Sequence, residues 1–197
     1  MTVKLGLTGS IGMGKSTTAE FFRVFGVPVW DADATVHELY ARGGPAVPLL
    51  QPFVPEAIID GAVDRNKLRI LINIDKNILE QVETVLKPVL AQSRQAFLTA
   101  HHIAPVVVFD IPLLYETDTE SWLDYVLVVT APEAVQKQRV MSRNTMDETL
   151  FNTILARQMS DMEKRALADF VFDTSKGMDH TKAEVKALIK ALEQENA

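Results

Sequence analysis

Eight consecutive residues, Gly9-Ser10-Ile11-Gly12-Met13-Gly14-Lys15-Ser16, match the pattern G-x-x-x-x-G-K-[S/T] in full. They follow the strand-like run Val3–Leu7 and open a helical pattern at Lys15, which is the context this motif requires. Glycines here let the backbone wrap with its N–H groups turned inward. The following helix aims its positive dipole end at the same space. Lys15 can set an ammonium between β- and γ-phosphates, and the Ser16 hydroxyl can ligate the magnesium that travels with a nucleotide. Thr17 adds a second hydroxyl. A chance match would occur on the order of once in a hundred chains of this size, and the correct flanks lower that further. The segment implies binding of nucleotide phosphates.

Other charged groups could complete such a site. Asp31 and Asp33 close the second strand pattern, and open α/β sheets bind ligands at the carboxyl edge. A carboxylate there can accept or orient the proton of an attacking hydroxyl, or hold a magnesium-bound water. Asp31 could equally cap the helix that starts at Ala34, whereas Asp33 is read as the functional carboxylate ahead of a cap. Asp110 stands at the end of a buried strand as a Walker-B-like carboxylate, with structural hydrogen bonding as its alternative. Arg139 and Arg143, four residues apart, would share one helix face. Such a pair can close over a triphosphate, where an arginine is worth ~10³–10⁵ in rate, or it can form an ordinary solvated face. His37, His101, His102 and His180 show no metal-ligand spacing and are read as surface residues.

These groups need a scaffold. Val3–Leu7 and Val27–Trp30 read as strands, with a helix over Lys15–Phe25 between them stopped by Gly26. That is the size of a βαβ unit, which implies a parallel sheet. From Ala34 to about His102 the pattern is helical, with no convincing strand. It includes a short helix at Leu68–Ile74 and a long one from Asn77 to about His101, kinked or broken at Pro88. Strand signals return at Pro105–Asp110, Asp124–Thr130 and Asp169–Asp173. Helices are predicted from Pro132 to Met141, from a capping box at Thr145–Glu148 through Arg157, and from Thr181 to Glu195. The fold class is α/β, with a five-stranded parallel sheet carrying a helical insertion.

Composition bounds the rest. The chain has 197 residues, of which 47% are hydrophobic and 23% charged, enough for a core and unlike a disordered chain. A formal charge of −6 opposes nucleic-acid binding unless a local basic groove exists. Cys is absent, which excludes disulfides, thiolate metal sites and a thiol nucleophile. No apolar run reaches the ~18 residues of a membrane span, and Met1–Lys4 carries no signal-peptide pattern, so a soluble, cytoplasmic protein is expected.

The use made of the phosphates can be narrowed. Guanine recognition would show Asn-Lys-x-Asp, but Asn144-Thr145-Met146-Asp147 lacks the lysine, and no Asp has Gly three positions on. A remodelling ATPase would carry a second acidic residue after Asp110, where Ile111-Pro112 stands instead. A small-molecule kinase fits best. Acceptors such as a nucleoside monophosphate or shikimate, and an ATP-sensing module without transfer, remain as alternatives.

The chain resembles the dephospho-CoA kinases through Leu7–Thr17, Val27–Asp33, the D-I-P-L-L-Y-E segment at Asp110–Glu116, and R-Q-M-S followed by E-K-R-A-L-A-D between Arg157 and Asp169. The resemblance implies transfer of the ATP γ-phosphate to the ribose 3′-hydroxyl of dephospho-CoA. It also implies a single P-loop kinase-like three-layer domain. That domain would carry a substrate-binding insertion at about 34–102 and a small helical lid at about 132–145. By the same matching, Asp33 is the expected base, and Lys15 and Arg139 stabilise phosphate charge. Gly12, Met13, Gly14, Lys15, Ser16 and Thr17 form the ATP loop, joined by Arg143. Magnesium would sit on Ser16, with Asp33 and Asp110 as candidates through water. Against the family pattern, Ser10, Met13, Lys87-Pro88 and Ser175 depart, where Gly, a small residue, His-Pro and Asn are usual.

Overall fold

The structure, a computed structural model, describes residues 2–144 and 146–195. In chain order the elements are β1 (Val3–Thr8), α1 (Lys15–Val24), β2 (Val29–Asp31), α2 (Ala32–Tyr40), α3 (Ala46–Leu50), β3 (Ile58–Ile59) and β4 (Ala62–Val63). Then come α4 (Arg65–Ile74), α5 (Asn77–Ala100), β5 (Val106–Asp110), β6 (Tyr125–Thr130) and α6 (Glu133–Met141). The chain closes with α7 (Glu148–Leu155), α8 (Asp161–Leu167), β7 (Phe170–Asp173) and α9 (Met178–Glu195). The chain divides into two compact units, one made of Met1–Trp30 with His101–Ala197 and the other of Asp31–Ala100.

The five-stranded sheet has the order β2-β5-β1-β6-β7. β1 runs parallel to β5 and to β6, and β6 parallel to β7. Val3, Leu5, Leu7, Val106, Val108, Leu127 and Val129 alternate onto one face and pack with Ala19 and Phe22 of α1 and Val185 and Leu192 of α9. Phe22 is fully buried there, a side chain of the size that contributes roughly 1.5–3 kcal/mol on burial. The other face is covered too. A Cβ built on Gly6 would lie 2.5 Å from Leu123 Cδ1 and 2.8 Å from Leu114 Cδ1, so these two side chains pack directly on the bare backbone there. Phe109 packs edge-on against Trp122 at 4.7 Å between ring centres. This two-sided burial is why β5 reads as an unbroken apolar run.

β1 connects through α1 to β2, which lies to one side of it in the strand order, while its neighbour β6 connects through α6, α7 and α8 to β7, on the other side. The crevice at the carboxyl ends of β1 and β6 is therefore a topological switch point, where open α/β sheets bind their ligands.

In the second unit, Asp31 Oδ1 accepts the Ala34 N–H at 2.9 Å and caps α2, and Asp64 caps α4 through Asn66 and Lys67. Leu39, Leu50, Val54, Leu68, Val82 and Leu86 form its core. The structure corrects the expectation of no strand here, because β3 and β4 pair as an antiparallel hairpin. Its turn is Asp60-Gly61, with φ of 49° and 76°. Asp-Gly is the residue pair that a type I′ turn selects, but strands of two residues are too short to show periodicity. α5 continues through Pro88 without a break.

The starts of α7 and α9 also differ from expectation, and one helix was not expected. The N-cap of α7 is Asp147, whose carboxylate accepts the Leu150 N–H at 2.8 Å. Thr145, on which the expected capping box rested and where the expected lid ended, lies outside the described residues. A complete capping box does exist, at Ser160 and Glu163, and it opens α8, a helix the sequence reading did not find. α9 starts at Met178, ahead of the expected Thr181. Among the described residues no helix is long and apolar enough to cross a membrane.

Candidate active site

The loop after β1 and the start of α1 form the centre of the site. Gly12 and Gly14 have φ of 80° and 92°, left-handed values that favour glycine. At Gly14 space adds a second constraint, since a Cβ there would lie 3.0–3.1 Å from three side-chain atoms of Thr174. Gly14 is the N-cap of α1 and supplies no side-chain cap. The first N–H groups of a helix have no intrahelical acceptors, which leaves the donors of Lys15, Ser16 and Thr17 at the start of α1 for other partners. The Ser16 and Thr17 side chains are exposed at this end.

Lys15 Nζ donates to Asp110 Oδ1 at 2.5 Å, and Asp110 is only 2% exposed. Of the two readings of Asp110, the structure displays the hydrogen-bonded one. Asp110 stands at the carboxyl end of β5 beside the loop, and it is the ion-pair partner of the phosphate-loop lysine.

Met13 differs from what a phosphate-contacting residue suggests. Its side chain is 3% exposed in the core, and its sulfur accepts the Ala131 N–H at 3.1 Å. Whatever Met13 offers a phosphate comes from its backbone.

Arg139, on α6, turns inward. Its Nη1 donates to Thr174 Oγ1 at 2.8 Å and lies 3.4 Å from Gly12 O, while Nη2 donates to Thr174 O at 2.9 Å. Arg143 does not share its helix face. α6 ends at Met141, with Ser142 as C-cap, and Arg143 is exposed beyond it. The i, i+4 argument fails because the helix stops two residues before Arg143. Asp33 belongs to the second unit and lies in the first turn of α2, exposed, next to the capping Asp31. Among the described residues no hydrogen bond or ion pair engages its carboxylate.

Sequence reasoning missed the residues that hold the loop. Gln136, 4% exposed, donates from Nε2 to Ile11 O at 2.8 Å. From the other side, Gln158 Oε1 accepts the Ile11 N–H at 3.1 Å. The next residue, Met159, donates its N–H to Glu116 Oε1 at 2.8 Å, and Glu116 pairs with the fully buried Lys164, also at 2.8 Å. Glu116 and Lys164 were visible only as parts of a resembling pattern. Gln136, in a helix rich in polar residues, carried no signal. After β7, Ser175 donates from both its hydroxyl and its N–H to Asp173 Oδ1, and these bonds hold the Asp173 carboxyl below the usual carboxylate range.

The donor set suits a hard cation. Ser16 and Asp110 offer oxygen ligands, and among the described residues no cluster of three or more His, Cys, Asp or Glu could hold a metal. A separate cleft of about 400 Å³ opens among Thr130, Glu133, Asp161 and Asp173, and no residue of the loop lines it.

Comparison with known proteins places these features in a family setting. A family model described as Dephospho-CoA kinase matches residues 3–180. A Dephospho-CoA kinase from Jannaschia sp. is 50% identical over 192 residues, covering 98% of each chain. One from Cereibacter sphaeroides is 52% identical over 186 residues, covering 94% of this chain and 93% of that one. Among solved structures, a Thermus thermophilus protein superposes with a TM-score of 0.85 at 32% identity, covering 97% and 98% of the two chains. The dephospho-CoA kinase of Campylobacter jejuni shares the fold with a TM-score of 0.73 at 21% identity, over the full length of both.

Proposed function

The chain belongs to the dephospho-CoA kinase family, and from that premise we propose that it phosphorylates dephospho-CoA at the ribose 3′-hydroxyl with ATP, completing coenzyme A synthesis. The observation that carries this reading is the glycine loop opening α1, with Lys15 and Asp110 paired at its mouth.

In the proposed reaction the substrate hydroxyl oxygen bonds to the γ-phosphorus as the bond to the β–γ bridging oxygen breaks and ADP leaves. The hydroxyl proton passes to Asp33. The loop N–H groups of Gly12 to Thr17 hold the phosphate chain, and Lys15 leaves Asp110 for the β- and γ-oxygens. Arg139 meets the charge that develops on the transferring group. Arg143, on the exposed segment after α6, is assigned to the nucleotide. Magnesium, held by Ser16 and, through water, by Asp110 or Asp33, would neutralise phosphate charge when bound. The helical unit 31–100 is assigned to the dephospho-CoA side and the segment from 132 to about 145 to the lid. The setting is the cytoplasm, where ATP is turned over, and the acceptor is a small molecule rather than a nucleic acid or a membrane.

A coupled ADP-release assay over dephospho-CoA, nucleoside monophosphates and shikimate tests the reading. Rapid turnover with dephospho-CoA alone is expected. Equal or better turnover with another acceptor, or ATP binding without any phosphorylated product, would remove it.

A further inference from the structure

We infer that Thr174 is the positioning residue for Arg139, holding the guanidinium at the phosphate loop before any nucleotide arrives. The inference rests on the reading that Arg139 meets the transferring phosphate.

Thr174 immediately follows β7 and is 7% exposed. Its hydroxyl lies 2.9 Å from Met13 O and 3.2 Å from Thr130 O, the carbonyls to which its proton can go. The same oxygen accepts from Arg139 Nη1 at 2.8 Å, and the Thr174 carbonyl accepts from Nη2 at 2.9 Å. A hydroxyl can donate in one direction and accept in another. Thr174 therefore joins the carbonyl of a loop residue to the arginine in one short chain of hydrogen bonds. Its side chain also fills the space beneath Gly14, where α1 begins.

The consequence concerns the arginine. A guanidinium carries five N–H donors in a rigid fork. Thr174 and Gly12 O account for three of them, and among the described residues Nε–H and the second Nη2 hydrogen have no partner. Thr174 grips one side of the fork and leaves the other for a phosphate. Arginine has many rotamers to lose, so holding it in place beforehand lowers what must be ordered in the transition state.

The test is a double-mutant cycle on the full-length protein, with steady-state kinetics, binding of a non-hydrolysable ATP analogue and thermal midpoints recorded for each variant. Thr174→Val keeps the shape and removes the hydroxyl, and it is expected to lower kcat about 10- to 50-fold with a smaller change in the KM for ATP. Thr174→Ser keeps the hydroxyl and should recover kcat to within about threefold of wild type. In an Arg139→Met background, adding Thr174→Val should cost less than about twofold more. The same fold-loss in both backgrounds would show that Thr174 merely supports the loop, and unchanged kcat in Thr174→Val would equally overturn the proposal. Should Thr174→Val not fold, Thr174→Ala takes its place in the cycle under the same criteria. If the wild type binds the analogue but does not phosphorylate dephospho-CoA, the proposed function has failed. The cycle is then read on the analogue's dissociation constant, where coupling between the two sites supports the positioning role and additivity rejects it.

Discussion

Lys15 and Asp110 form an ion pair across the phosphate-loop crevice, with Nζ 2.5 Å from Oδ1 and both side chains largely withdrawn from water. A nucleotide phosphate must take the ammonium from this carboxylate, so Asp110 competes with ATP until a cation arrives to occupy it. The two partners should therefore respond in opposite directions. In chelator, Asp110→Asn is expected to bind ADP about tenfold more tightly than wild type while losing turnover. Lys15→Ala, which leaves the carboxylate facing the phosphates, should bind at least about 100-fold more weakly. Calorimetry with and without magnesium checks both. Weaker metal-free binding by Asp110→Asn would remove the competition argument.

Asp33 presents an exposed carboxylate in the first turn of α2, while its neighbour Asp31 takes the cap. General-base catalysis contributes about 10²–10⁴ in rate. Asp33→Asn should lose turnover by that order and keep the affinity of the ATP analogue within about threefold. Asp31→Asn, which preserves a cap, should keep most of its activity. Single-turnover kinetics separates the two, and normal chemistry in Asp33→Asn would take the base role away from it.

Why the sequence disclosed some of this and not the rest follows from how each feature is encoded. β1, β5 and β6 are buried on both faces, so their composition announces them. The loop is legible because its glycines, Lys15 and Ser16 act through adjacent residues. The Asp60-Gly61 hairpin went unread because β3 and β4, two residues each, are too short to show periodicity. The supports of the loop are long-range. Gln136, Gln158 and Thr174 reach Ile11 and Met13 from residues more than a hundred positions away, and local periodicity cannot encode such pairs. The Arg139–Arg143 pairing failed for the converse reason, because helical spacing was extended past the residue at which α6 ends.

The peptide of Ile11 is held on both sides, by Gln136 at its carbonyl and Gln158 at its N–H. A hydrogen bond of this kind contributes about 1 kcal/mol. Gln136→Leu and Gln158→Leu should each raise the KM for ATP about fivefold with kcat little changed. An unaltered KM in both would show that the loop keeps its shape without them.

Behind Gln158 stands the Glu116–Lys164 pair, with Lys164 fully buried. Removing one partner of a buried pair costs about 3–5 kcal/mol, because the other charge is stranded, whereas replacing both can be nearly neutral. Lys164→Met should therefore lower the denaturant midpoint strongly, and Glu116→Leu with Lys164→Met should recover part of it. Equal midpoints for wild type and Lys164→Met would contradict a stabilising pair.

The capping box of α8 makes the stability depend on acidity. Glu163 accepts from the Ser160 hydroxyl at 2.5 Å and from its N–H at 3.1 Å, and these bonds hold its carboxyl below the usual glutamate value of 4.5. A carboxyl held low when folded stabilises fully above that usual value and loses the contribution as pH falls through its depressed one. Glu163→Gln can still accept from Ser160 but carries no charge to titrate. Wild type should be the more stable of the two at neutral pH, and the difference in their thermal midpoints should shrink steadily on acidification below about pH 4.5. Scanning calorimetry of both proteins across that window measures it, and a difference independent of pH would place the stabilisation elsewhere than in the ionised carboxylate.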